Sequence, residues 1–124
     1  MNNYEGSADE SNINTESKVM AFGDLRYADS ISVRTERSNY RFSILDPIRR
    51  RGMLTGGVLG DQASEAMLMG AISVDDGSYN TTELKTGWRV VFFVTTNNRL
   101  NHMITSAVTD IVLIKGAVAG IRAA

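Results

Sequence analysis

Arg49, Arg50 and Arg51 are consecutive cations placed just after the chain's only proline, Pro47. Each guanidinium is a planar fork that matches a carboxylate or phosphate with two parallel hydrogen bonds. Held together on one turn, they are the expected capture point for an anionic group: a phosphate, an acidic peptide or a lipid head. Arg34 and Arg41 stand just upstream, next to Val33 and Phe42. If those apolar neighbours point inward, strand alternation turns both arginines to solvent. These five arginines are the candidate ligand-binding residues. The plainer reading is a solvated basic turn whose charges discourage strand-edge pairing.

Other chemistries have less to stand on. Cysteine is absent and His102 is the single histidine, which excludes thiolate nucleophiles, disulfides and any site needing two imidazoles from one chain. His102 and Ser106 would share a strand face roughly 13 Å apart, too far for a catalytic dyad. Asp46, Asp61, Asp75 and Asp76 are candidate carboxylates. Asp75-Asp76-Gly77, however, lacks the alternating acids and closing Glu of a calcium loop and reads as a turn. Gly56-Gly57-Val58-Leu59-Gly60 lacks the Lys-Ser/Thr of a phosphate loop and opens no helix. The expectation is a protein with no catalysis, no cofactor and no metal, although two acids distant in sequence can meet in a fold.

Charge is uneven along the 124 residues, although the net value is only −1. Residues 1–25 carry Lys18 against Glu5, Asp9, Glu10, Glu16 and Asp24, a net −4. Residues 26–51 carry seven arginines against Asp29, Glu36 and Asp46, a net +4. The whole chain therefore has no long-range pull on nucleic acid, while one segment can form a basic patch. No apolar run is long enough to span a membrane as a helix. The polar, acidic start lacks a secretory core, so a cytoplasmic location is expected.

These residues must be positioned by strands. Residues 1–17 are too polar to offset their ordering entropy and read as a disordered acidic tail. Val19, Met20 and Phe22 open the domain as a strand or short helix. Ile31 and Val33, then Tyr40, Phe42 and Ile44, alternate as a hairpin around a loop at Glu36–Asn39. Ile48–Arg51 reads as the basic turn and Gly52–Gly57 as a third strand. Its Gly56-Gly57 pair marks a bulge or close backbone approach. Ala66–Val74 and Gly87–Thr96 are further strands, and Tyr79–Thr86 is a polar stretch. His102–Ile114 is one long bent strand or two short ones, with the kink near Ser106-Ala107. The expected fold is all-β: a small antiparallel barrel of six or seven strands, or a compact sandwich, over residues 18–115, with a flexible tail at 116–124. Ile31, Val33, Tyr40, Phe42, Ile44, Leu54, Leu68, Ile72, Val90, Phe92, Ile111 and Leu113 are the expected core.

The segments Arg34–Gly57, Leu84–Val94 and Ile104–Ile111 carry a T-x-x-S-x-Y, D-P, G-G and T-S-x-V-x-x-I pattern. It resembles a group of short, uncharacterised bacterial β-domain proteins, which implies a compact β domain and no particular activity. PilZ domains offer a second comparison. They are six-stranded barrels that bind cyclic di-GMP through an R-x-x-x-R loop and a D/N-x-S-x-x-G strand. Asp76-Gly77-Ser78 begins the latter motif, but Thr81 stands at its closing glycine. Arg37 and Arg41 have the arginine spacing but span the expected hairpin. The function expected from the sequence is a non-enzymatic interaction module whose arginine-rich loop meets an anionic partner, a protein above all. A PilZ-like nucleotide binder and a structural homo-oligomer are the alternatives. Nucleic acid is not favoured, because Tyr40 and Phe42 alternate inward instead of interleaving with the arginines on the surface.

Overall fold

The computed structural model describes residues 18–116. The expected tail over 1–17 lies outside the described residues. So does the carboxy-terminal one, except for Gly116, whose N–H donates to the Asp29 carboxylate at 3.1 Å. The chain is all-β, as its alternation requires. In order, its strands are β1 (Val19–Ala21), β2 (Ser30–Thr35), β3 (Asn39–Asp46), β4 (Arg51–Gly56), β5 (Ser64–Ile72), β6 (Tyr79–Asn80), β7 (Glu83–Lys85), β8 (Arg89–Thr96), β9 (Arg99–Ile104) and β10 (Val108–Ile114). Single 3₁₀ turns occupy Phe22–Asp24 and Gly57–Leu59. Among the described residues no helix is long and apolar enough to cross a membrane.

Every ladder is antiparallel. The large sheet runs β10-β2-β3-β4-β5-β8-β9, with β6 paired to β5, and β1 and β7 form a separate two-stranded sheet. The large sheet is not closed by a continuous ladder. Its ends do meet, because β9 and β10 are successive stretches of one chain segment, broken near the expected kink at Ser106-Ala107. Thr105 N–H donates to the Val90 carbonyl at 3.0 Å and Val108 N–H to that of Trp88 at 2.8 Å. The β8 contact is thereby carried past the break.

The core lies on the concave side. Phe42 of β3 and Phe92 of β8 meet edge to face, with ring centroids 5.3 Å apart. Ile31, Ile44, Leu54, Leu68 and Val90 are buried around them, each contributing about 1.5–3 kcal/mol by leaving water. Phe22, Leu25 and Leu84 join the same cluster from β7 and the turn after β1. Tyr40 and Leu113 pack against it half-buried.

Local geometry departs from simple alternation at three places. The β5–β8 register shifts between Leu68 and Gly70, so Ala71 turns inward and Ile72, expected in the core, sits half-buried beside Arg89. Arg51, expected in the turn, is the first residue of β4. The polar stretch Tyr79–Thr86 contains β6 and β7, with Leu84 buried. The Gly56-Gly57 pair does mark a close approach. Gly57 has φ +54°, and a Cβ there would stand 2.5 Å from the Tyr40 hydroxyl.

Candidate functional site

The basic turn joins β3 to β4. Pro47 has no N–H for the ladder and ends β3. Asp46 organises the turn itself: its carboxylate accepts the Arg49 backbone N–H at 3.1 Å and the Arg49 guanidinium at 3.3 Å. The backbone N–H of Arg49 is the main cause that holds the Asp46 carboxyl below the ordinary carboxylate range. Arg49 is thus already partnered, although its side chain is largely in solvent.

Arg50 takes a left-handed conformation, φ +56°, which few non-glycine residues adopt outside constrained turns. Three contacts hold it there. Its carbonyl accepts the Leu68 N–H at 2.9 Å, its Nη1 donates to the Thr81 carbonyl at 2.8 Å, and its guanidinium lies 5.0 Å from the centroid of the Phe22 ring. The left-handed step separates Arg50 from its neighbours. Arg51 stands in the ladder opposite Asp46 and Met67.

Arg50 is one wall of an open cleft of about 410 Å³. Arg26, on the segment after the 3₁₀ turn, lines it too. Its Nη1 donates to the carbonyls of Gly23 at 2.8 Å and Leu25 at 3.1 Å. The floor is apolar: Phe22 and Leu25 beneath, Pro47 and Ile48 at the rim. Ile48 is 90% exposed. Each guanidinium is therefore aimed by backbone carbonyls through Nη1, and five N–H donors per guanidinium exceed those bonds.

Arg26 is itself anchored through Asp29, which is only 3% exposed. Asp29 accepts the backbone N–H of Arg26 at 3.0 Å and of Gly116 at 3.1 Å, with the Lys115 ammonium at 3.4 Å. Burial works against its charge. The two N–H groups and Lys115 outweigh that and hold its pKa below the ordinary value.

The other two expected arginines lie elsewhere. Arg34 on β2 pairs with Asn39, and Arg41 on β3 pairs with Ser32 and Thr55. They are therefore diagonal neighbours on the exposed convex face, and Arg34 Nε donates to Asn39 Oδ1 at 3.3 Å. Of the five expected residues, Arg50 alone lines the cleft. Its second arginine, Arg26, belongs to the basic segment but lies more than twenty positions upstream, and nothing local in the sequence couples the two.

A second open cleft of about 450 Å³ lies between β1 and β10. Its one cation, Lys18, is taken by Asp110 at 2.6 Å. The two half-motifs that resemble a cyclic di-GMP site are not brought together. Arg37 sits at the β2–β3 hairpin tip, at the end of the sheet where β5 begins. Asp76-Gly77-Ser78 lies past the far end of β5. Among the described residues no three His, Asp or Glu side chains are grouped to hold a metal ion. Comparison with protein-family models, curated proteins and solved structures found no match, so the site is read from its own geometry.

Proposed function

We propose that this protein is a non-enzymatic interaction module that takes an acidic segment of a partner protein in the cleft between Arg26 and Arg50. One observation carries the reading: two guanidinium groups, each tied to backbone carbonyls, line one cleft together with apolar side chains. A side-chain carboxylate engages the arginines, and an adjoining apolar side chain covers Pro47 and Ile48. Arginine is among the residues that most often concentrate binding energy at protein interfaces. Arg49 adds positive field at the rim, while Arg34 and Arg41 contribute only at longer range.

The test uses labelled peptides with Asp or Glu next to Leu or Phe, and measures fluorescence anisotropy in about 20 mM and about 150 mM salt, concentrations that change the screening length severalfold. Binding should weaken with salt and be lost in the Arg26→Ser/Arg50→Ser double variant, while Arg34→Ser/Arg41→Ser stays near wild type. Equal affinity in the Arg26→Ser/Arg50→Ser protein would remove the cleft from consideration. Loss confined to Arg34→Ser/Arg41→Ser would move the site to the convex face.

A further inference from the structure

We infer that a second copy of this chain adds to the free edge of β9, in a twofold register centred on Asn101. The β8–β9 hairpin closes through Asn97-Asn98, whose φ values of +51° and +63° make a type I′ turn. That turn makes Thr96 and Arg99 a hydrogen-bonded pair, and such pairs recur at every second residue. The Thr105 N–H to Val90 carbonyl bond falls in the same phase. Arg99, Asn101 and Met103 therefore spend their backbone groups on β8. Leu100, His102 and Ile104 aim theirs outward, and no strand among the described residues pairs with that edge.

The edge carries little of the usual protection, with Arg99 at its start as the one charge. β9 reads Arg-Leu-Asn-His-Met-Ile, without proline, lysine or bulge. Leu100 is 65% exposed and Ile104 49%. His102 lies flat on Phe93, centroids 4.3 Å apart, and extends the apolar row onto β8.

The molecule itself limits the register. The β2–β3 hairpin tip already occupies the edge beside Ser106 and Ala107: Glu36 N–H donates to the Ala107 carbonyl at 3.0 Å and Arg37 N–H to Ser106 Oγ at 3.3 Å. A twofold centred on His102 would bring Asn98 of the second copy against Ser106, where that tip stands. Centring on Asn101 moves the incoming turn back to Ile104 and Thr105. Leu100 then exchanges both backbone bonds with His102 of the second copy, and His102 with its Leu100. The two Asn101 side chains face each other. Each donates through Nδ2 to Thr96 Oγ1 at 3.0 Å, which leaves its Oδ1 to accept. Arg99 falls opposite Met103, so no like charges are opposed. A single short edge strand is at the small end of interface sizes, so the dimer is micromolar. Since β9 is separated from β4 by β5 and β8, the arginine cleft stays open in the dimer, and the two proposals fail independently.

The chain has no cysteine, so one introduced thiol reports directly. Facing residues of a non-hydrogen-bonded antiparallel pair lie within disulfide reach. With oxidised glutathione, full-length Asn101→Cys should give a disulfide-linked dimer at least about tenfold faster than Val58→Cys, a control at a 90% exposed position. Amide exchange of the unmodified chain supplies a second reading. On dilution from about 200 µM to about 2 µM, across a micromolar Kd, the Leu100 and His102 amides should lose protection while those of Asn101 and Met103 keep theirs. Equal cross-linking of the two variants, or exchange at Leu100 and His102 that ignores concentration, overturns the proposal.

Discussion

Replacing Arg50 by alanine and by glycine separates what this residue does for the fold from what it does for a ligand. Either change removes the guanidinium bond to the Thr81 carbonyl and the contact over Phe22. Both are partly solvated, so together they are worth about 1.5–2 kcal/mol. The backbone term differs between the two. At φ +56° a side chain costs about 1–2 kcal/mol that glycine does not incur. Glycine gives back about 0.5–1 kcal/mol through a freer unfolded chain. Arg50→Gly should therefore be about 0.5–1 kcal/mol more stable than Arg50→Ala, the reverse of their order in regular structure. In urea, with a slope of ~1–2 kcal/mol per molar for a domain of this size, the midpoints differ by about 0.5 M, which is resolvable. Binding of the acidic peptides should fall equally in both variants, by at least about tenfold. If alanine is as stable as glycine, Arg50 does not hold the left-handed conformation. If either variant binds like wild type, Arg50 does not contact the ligand.

Two further outcomes concern the frame around the cleft. Asp29→Ala leaves the N–H groups of Arg26 and Gly116 without their acceptor and should cost about 2–3 kcal/mol in chemical denaturation. Because the folded pKa of Asp29 is lowered, its contribution is present above the unfolded value of about 4 and is lost as pH falls through the folded one. The stability difference between wild type and Asp29→Asn should shrink over that acid window, and a difference independent of pH there would refute the assignment. Gly52→Ala places a Cβ 1.9 Å from the Ser43 carbonyl oxygen, so β3 and β4 must part and stability should drop by about 2 kcal/mol or more. A thermal midpoint within error of wild type would show that the register shift at Leu45 relaxes without strain.

The strands were legible because each buries one face. Ile31 and Val33 pair across from Phe42 and Tyr40, and Phe42 from Leu54, as alternation requires. What escaped were places where a bulge resets the phase. The shift at Met69 passes the inward position from Ile72 to Ala71, and a run such as Ala-Met-Leu-Met-Gly-Ala-Ile is apolar on both faces, so no period marks the slip. Leu84 is a single apolar residue in polar surroundings, and Leu25 lies between Asp24 and Arg26. Their burial depends on β1 and β7 meeting across more than sixty positions, which local pattern cannot show.

The site was harder to read, because three adjacent arginines look alike in sequence and differ only in backbone geometry. Asp46 claims Arg49 by accepting the backbone N–H three residues on, a link that Asp-Pro-Ile-Arg spacing does permit. Arg51 returns to extended structure and pairs with Met67. Between them the left-handed step at Arg50 points that one guanidinium across the sheet end toward Phe22 and Thr81. A cluster of like charges cannot keep all its members in one place, since each repels the next and each seeks its own acceptor. The turn disperses the repulsion and delivers one cation to the cleft that Arg26 also lines.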